Sequence, residues 1–293
     1  MDLEKNKIIT KLSIVIVTFN SGKYLYNCLD SIKKFNDLDK NLEVIIIDNT
    51  SLSESQLIQK NINKKYSFTT IVEYSGSNVG FGKANNIGAE IATGNYICFL
   101  NADTILIEKI FKKAINKFSK PNIRTLGVKL LNEKKKSELS FFFIRGYFSS
   151  FSSFFVFKLN FYNYKLKNMI TSGACMFVRE RDFKIIGGFN PKMFLYHEES
   201  YLARKFLNHF DDNIFYFDKT LKLIHLEKSG SASKMLSTEY YKSMVFYYKY
   251  FNFNMKFLSK IFYFKQLLRD LFSKPNNTII ENESKLINFF INK

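Results

Sequence analysis

Tryptophan is absent from the 293-residue chain, cysteine occurs only three times, and no apolar run approaches the length of a membrane span. The cysteines, Cys28, Cys98 and Cys175, sit singly in apolar contexts without metal-ligand spacing. So sparse and odd a set argues against a disulfide framework and for packing roles in a reducing compartment. At the N-terminus the apolar run extends only from Leu12 to Phe19 and contains Ser13 and Thr18. It is short for a signal peptide and far short of a spanning helix, so a cytoplasmic location is expected. Acidic residues are also scarce, with 26 against 44 Lys and Arg, giving a net charge of +18. That excess attracts nucleic acid, anionic lipid or phosphorylated substrates without distinguishing among them.

What is present is enough apolar residue, 46% of the chain, to bury a substantial core. The first third alternates strand and helix. Ser13–Thr18 is a nearly continuous β-branched run, as a strand covered on both faces should be. Asn20 and Ser21 follow as cap residues, then a helix to about Lys34 with Leu25, Cys28, Leu29 and Ile32 on one face. A second buried strand, Val44–Ile47, runs into Asp48-Asn49 and a polar helix over about Leu52–Lys64. A third strand, about Thr70–Tyr74, leads through a Gly/Asn-rich loop to a helix over about Lys83–Ala92, and a fourth ends in Asn101-Ala102-Asp103. This pattern predicts a mostly parallel sheet with helices on both faces. Such sheets bind ligands beyond the carboxyl ends of their strands. Three strands ending in polar groups at that edge, at Thr18-Phe19-Asn20, Asp48-Asn49 and Asn101-Ala102-Asp103, point to a site there.

Five segments occur in order: Ser13–Asn20, Ile47-Asp48-Asn49, Asn78-Val79-Gly80-Phe81-Gly82-Lys83-Ala84-Asn85-Asn86, Asn101-Ala102-Asp103 and Gly187-Gly188-Phe189. Each is weak alone, but together they resemble a family 2 glycosyltransferase of the GT-A fold, near its rhamnosyltransferase-like branch, over about residues 11 to 230. The resemblance implies an α/β GT-A-like domain over 1–233. Within it, 1–130 would form the nucleotide-sugar half, 134–167 an aromatic insertion and 168–233 the acceptor and catalytic half. A helical, aromatic and basic extension would occupy 234–293.

The resemblance also assigns roles. Thr18, Phe19 and Asn20 would line the nucleotide pocket, and Asp48 would accept from the base or ribose. Asn78, Gly80, Phe81, Gly82 and Asn85 would face ribose and diphosphate, the glycines allowing close backbone approach. Asn101 and Ala102 precede Asp103, the last carboxylate of an Asp-x-Asp motif that holds Mg²⁺ or Mn²⁺ on the diphosphate. His225 aligns with a late histidine that can complete that metal site; packing at the end of an apolar run is its alternative role. Glu199 takes the catalytic-base position with Glu198 beside it, a pair that would equally suit a helix N-terminus. Relatives carry a carboxylate where this chain has Tyr201, and Asn101 replaces the first Asp of the motif.

Beyond residue 233, Lys242, Lys249, Lys256 and Lys260 fall at helical spacing among Tyr240, Tyr241, Met244, Phe246, Tyr247, Tyr248, Phe251 and Phe257. Lys265 and Arg269 fall on the opposite side, so a break near Asn252-Phe253-Asn254 is expected. Two covers fit this composition: a membrane interface, or packing on the sheet domain or a twin subunit. The function expected is inverting transfer of a sugar from a nucleotide-diphosphate donor to a glycan acceptor, lipid-linked at the inner face of the membrane. The alternatives are a nucleotide-sugar-binding relative without turnover and, below it, a basic nucleic-acid-binding protein; no recognition motif accompanies the charge. A dinucleotide fingerprint at Gly80–Asn85 fails because Asn85 takes its last glycine position and the preceding strand ends near Tyr74.

Overall fold

The computed structural model describes residues 11–50, 52–66, 68–144, 146, 164–166, 169–211, 214–226 and 234–261. Four strands come first: β1 (Leu12–Thr18), β2 (Leu42–Asp48), β3 (Thr69–Tyr74) and β4 (Tyr96–Leu100). They lie parallel in the order β3-β2-β1-β4, joined by α1 (Gly22–Phe35), α2 (Leu52–Lys65) and α3 (Phe81–Ile91). The alternating segments expected from the sequence are therefore present, within a few residues of their expected bounds.

The second half of the sheet is mixed. β5 (Thr104–Leu106), α4 (Phe111–Lys117), β6 (Ile123–Leu131), β7 (Phe141–Phe143), β8 (Tyr164–Leu166), β9 (Met169–Thr171) and β10 (Cys175–Arg179) lead to α5 (Glu180–Ile185). Then come α6 (Glu198–His209), β11 (Ile214–His225) and α7 (Lys234–Tyr250). β10 runs antiparallel between β4 and β6; β11 is parallel to β6 and antiparallel to β5 and β8. β7 and β9 form a separate two-stranded sheet.

Helices cover both faces. Ile14 and Ile16 of β1 join Leu25, Leu29 and Ile32 of α1, Ile62 of α2 and Phe111 of α4 in one buried cluster. Val15, between them, points to the other face with Ala84 and Ala89 of α3, Phe183 of α5 and Leu202 and Phe206 of α6. That period-two division is the strand geometry that a β-branched run on a doubly covered sheet requires. α3 sits close on the sheet because Gly88 faces Val15, where a Cβ would stand 2.3 Å from Val15 Cγ1.

The C-terminal extension packs on the domain. Tyr241, Met244, Tyr247 and Tyr248 of α7 are buried in a third cluster with Met193 and Tyr201. The chain turns at Asn252, at φ +55°, and helix resumes over 255–261, so the expected break is present. Lys242, Lys249, Lys256 and Lys260 are all exposed. The expectation of aromatics at headgroup depth is corrected for the buried tyrosines, which the protein itself covers. Lys265 and Arg269, and residues 147–163 of the aromatic insertion, lie outside the described residues. Among the described residues, no helix is long and apolar enough to cross a membrane.

Candidate active site

The carboxyl ends of β1 and β2 are in register, with Thr18 opposite Asp48 and the Asn49 N–H donating to the Thr18 carbonyl at 2.9 Å. Asp48 is fully buried. Its Oδ1 accepts from the Thr50 N–H at 3.0 Å and from the Thr50 hydroxyl. Its Oδ2 and the Thr18 hydroxyl oxygen are buried without a hydrogen-bond partner. Unpartnered buried oxygens cost about 1–3 kcal/mol each, so this corner of the sheet edge suits a ligand that supplies donors. Ser75, after β3, closes the corner by donating its N–H to the Asp48 carbonyl at 3.1 Å. Phe19, 51% exposed, and the exposed Asn20, at φ +53°, stand at the rim.

The loop after β3 packs against the segment that leads into α6. Asn78 Oδ1 accepts from the Gly80 N–H at 3.2 Å, and Gly80 adopts φ +85°. The close approach at Gly80 is to the protein: a Cβ there would lie 2.4 Å from the Phe194 carbonyl oxygen. The Phe81 N–H donates to that same oxygen at 2.9 Å. At Gly82 a Cβ would meet Phe189 Cβ at 3.1 Å and Glu198 Cγ at 3.3 Å. The glycines thus admit the 189–198 segment on the side where a Cβ would stand. Asn85 is buried, and its Nδ2 donates to the Phe81 carbonyl within α3 at 3.0 Å. The neighbouring Asn86 fastens the Gly187-Gly188-Phe189 turn, accepting from the Phe189 N–H at 3.0 Å and donating to its carbonyl at 2.8 Å.

At the end of β4, Asn101 donates its N–H to the Ala174 carbonyl at 3.0 Å and accepts from the Thr104 hydroxyl at 2.8 Å. Ala102 and Asp103 are buried in the turn into β5. The β5–β11 pairing sets His225 opposite Thr104, so His225 Nε2 lies 3.4 Å from Asp103 Oδ1. Asp103 and His225 are thus brought together. A carboxylate and an imidazole facing each other at this distance form an N/O donor pair suited to a divalent ion with other positions open. The residues fit such an ion only as a partial set: no group of three His, Cys, Asp or Glu able to hold one occurs among the described residues. Diphosphate oxygens and water would have to complete the coordination.

The acidic pair opens α6. Tyr196 and His197 precede it at φ +71° and +68°, two successive left-handed residues costing about 1–2 kcal/mol each. The surroundings hold that turn: the His197 ring lies 4.6 Å from Tyr240 of α7, and Tyr196 lies 5.6 Å from the same ring. Glu199 Oε1 accepts from the Gly173 N–H at 3.1 Å, one residue from the Ala174 carbonyl that Asn101 engages. Those bonds tie the end of β4 to the acidic pair. Glu198 is buried, and that burial, followed by the charge of Glu199, pushes its carboxyl well above the usual range. Tyr201 faces α7. Its hydroxyl is 3.3 Å from the Tyr250 hydroxyl, and burial followed by that bond pushes it up to about 12. It serves as an anchor for α7.

Thr50 and Ser75 escaped the sequence reading, and Asn86, though within the Asn78–Asn86 segment, had no role assigned to it.

Comparison with known proteins agrees with this architecture. The chain is 32% identical over 112 residues to the poly(ribitol-phosphate) β-glucosyltransferase of Bacillus spizizenii, a match covering 38% of this chain and 18% of that protein. It thus spans under a fifth of that relative. The Staphylococcus aureus TarS 1–349 structure in complex with UDP superposes with a TM-score of 0.55 at 16% identity, covering 86% of this chain and 65% of that one. The mannosyltransferase PcManGT of Pyrobaculum calidifontis, in complex with GDP-Man and Mn²⁺, gives 0.61 at 11% identity over 96% of this chain and 85% of that one. These two likenesses establish the GT-A fold. The family model described as glycosyl transferase family 2 matches residues 13–186, more than half the chain, and the protein belongs to that family.

Proposed function

We propose that the protein is an inverting glycosyltransferase that moves a hexosyl or rhamnosyl group from a nucleotide diphosphate to a glycan acceptor, lipid-linked at the inner face of a membrane. The observation that carries this is the convergence on one sheet edge of three features: the unpartnered Asp48 Oδ2 and Thr18 hydroxyl, the Asp103–His225 pair, and the Glu198–Glu199 pair. The ligands named for the superposed structures, UDP and GDP-Man with Mn²⁺, support the donor class.

In this account Asp48 Oδ2 accepts a donor group of the base or ribose. Asp103 and His225 would hold Mg²⁺ or Mn²⁺, which supplies charge neutralisation for the leaving diphosphate. Glu199, oriented by the Gly173 N–H, takes the proton of the acceptor hydroxyl. The acceptor oxygen then bonds to the anomeric carbon on the face opposite the breaking bond to diphosphate, inverting that centre. Burial pushes the Glu198 carboxyl well above the usual range, which disfavours a second charge beside the base. The exposed lysines of the C-terminal helices suit anionic headgroups, worth about 1 kcal/mol each near such a surface.

A second reading, donor binding without turnover, is favoured by one observation: Tyr201 is turned into the α7 packing. Nucleotide release from UDP-, GDP-, dTDP- and CDP-sugars in the presence of Mn²⁺ and glycan acceptors separates the two. The proposal expects turnover with one nucleotide class, lost in Glu199→Gln while nucleotide binding persists. Unchanged turnover in Glu199→Gln would remove Glu199 as the base, and binding without release for every donor would favour the second reading.

A further inference from the structure

β11 is flanked on both sides at its carboxyl end. On one side β5 pairs with it antiparallel, bringing Asp103 to His225 Nε2 at 3.4 Å. On the other side β6 pairs with it parallel, Leu130 opposite Leu223 and Leu131 opposite Ile224. The chain leaves β6 at Leu131, turns through 132–136, and returns so that Leu131 bridges Ser137. Glu138 follows, and its Oε2 lies 3.9 Å from His225 Nδ1. Each ring nitrogen of His225 therefore faces a different carboxylate, one in the turn before β5 and one in the segment after β6.

The backbone of Glu138 is fixed to β6. Its N–H donates to the Leu130 carbonyl at 2.9 Å. The Ser140 hydroxyl donates to the Glu138 carbonyl at 3.0 Å and accepts from the Leu130 N–H at 2.9 Å. The carboxylate is largely buried, its side chain 16% exposed and that of His225 15% exposed. A surface glutamate serving solubility would project from the Lys134-Lys135-Lys136 turn; this one is folded back onto the ring.

We infer that Glu138 is a positioning residue for His225: its carboxylate, facing Nδ1 at 3.9 Å, favours the proton on that nitrogen and so leaves Nε2 directed at the ion that His225 shares with Asp103. The chemistry is that of an imidazole ligand whose second nitrogen is held by a carboxylate, which raises ligand basicity and sets ring orientation. The inference rests on the proposed metal role of Asp103 and His225, and goes beyond it by giving the second imidazole nitrogen a partner.

The test is Mn²⁺ affinity of the full chain with UDP or GDP present, read as free Mn²⁺ by electron paramagnetic resonance against nucleotide-only controls and needing no turnover. Four variants are compared with the wild type: Glu138→Leu, Glu138→Gln, His225→Ala and Asp103→Asn. Glu138→Leu should bind Mn²⁺ roughly 10–100-fold more weakly. Glu138→Gln, whose amide oxygen keeps an acceptor facing Nδ1, should recover part of the loss. Thermal midpoints of the two Glu138 variants, measured alongside, separate a metal-specific loss from general unfolding, and Glu138→Gln preserves shape if the leucine variant does not fold. Wild-type affinity in both Glu138 variants, with His225→Ala weakened, would overturn the inference alone. Wild-type affinity in His225→Ala and Asp103→Asn would overturn the metal assignment and the inference with it.

Discussion

Alanine at Gly80 should destabilise the protein far more than alanine at Gly76, although both glycines have nearly the same positive φ, +85° and +84°. At Gly76 a Cβ would meet nothing within 4 Å, so the substitution adds only backbone strain. That strain is about 1–2 kcal/mol, offset by about 0.4–1 kcal/mol from the stiffer unfolded chain. The net loss is therefore about 0–1.5 kcal/mol. At Gly80 the added Cβ would lie 2.4 Å from the Phe194 carbonyl oxygen and 2.9 Å from Phe194 Cα, both backbone atoms that no rotamer change can move. Relieving that overlap costs about 1–3 kcal/mol, and parting the Phe81 N–H from Phe194 adds about 1 kcal/mol. The expected loss for Gly80→Ala is thus about 2–5 kcal/mol. At about 2–4 °C per kcal/mol for a domain near this size, its thermal midpoint should fall by at least about 4 °C. Paired thermal and urea unfolding of the two variants provides the assay. Equal losses, or an unchanged midpoint for Gly80→Ala, would refute the claim that this loop is built to receive Phe194.

Two pH-dependent effects should accompany it. Glu198 binds its proton more tightly folded than unfolded, so wild-type stability should fall as pH rises from the unfolded value, about 4.3, toward the raised folded value. Glu198→Gln should remove that slope, leaving the variant relatively more stable at pH 8 than at pH 4; parallel unfolding curves across that range would count against it. Glu43 behaves oppositely: burial alone would raise it, but Lys11, Ser13 and Thr93 donate to the carboxylate and hold it below the usual range. Its contribution is complete above the unfolded value and is lost as pH falls through the folded one. Glu43→Gln should therefore lose about 1–3 kcal/mol at pH 7 and less at acid pH, and a pH-independent loss in denaturant titrations would contradict this.

The first half of the fold was legible because its order is local. Buried runs such as Val44–Ile47 and polar strand ends at Asp48 and Asp103 announce a sheet and its binding edge within a few residues. The second half depends on pairings between distant segments. β5 has three residues, and nothing near Thr104 signals that it will pair with His225 more than a hundred positions on. The Asp103–His225 proximity could therefore be expected only from resemblance. Gly80 and Gly82 were visible as glycines, but what presses against them comes from Phe189, Phe194 and Glu198. Tyr201 was visible as a missing carboxylate, whereas its use as an anchor for Tyr250 depends on how α7 folds back. Glu138 had no signal, since it follows a lysine-rich turn like any solvated hairpin.

The central claim is that Asp48 and the Asp103–His225 pair form a metal-assisted nucleotide-diphosphate site. It is tested most directly by thermal unfolding with UDP, GDP, dTDP and CDP, each with Mn²⁺ and with EDTA. A ligand at a hundred times its dissociation constant stabilises by about 2.7 kcal/mol. The account predicts an upward shift of several degrees for one diphosphate class with Mn²⁺, lost with EDTA and lost in Asp48→Ala. No shift with any nucleotide, or a shift indifferent to both EDTA and Asp48→Ala, would contradict it.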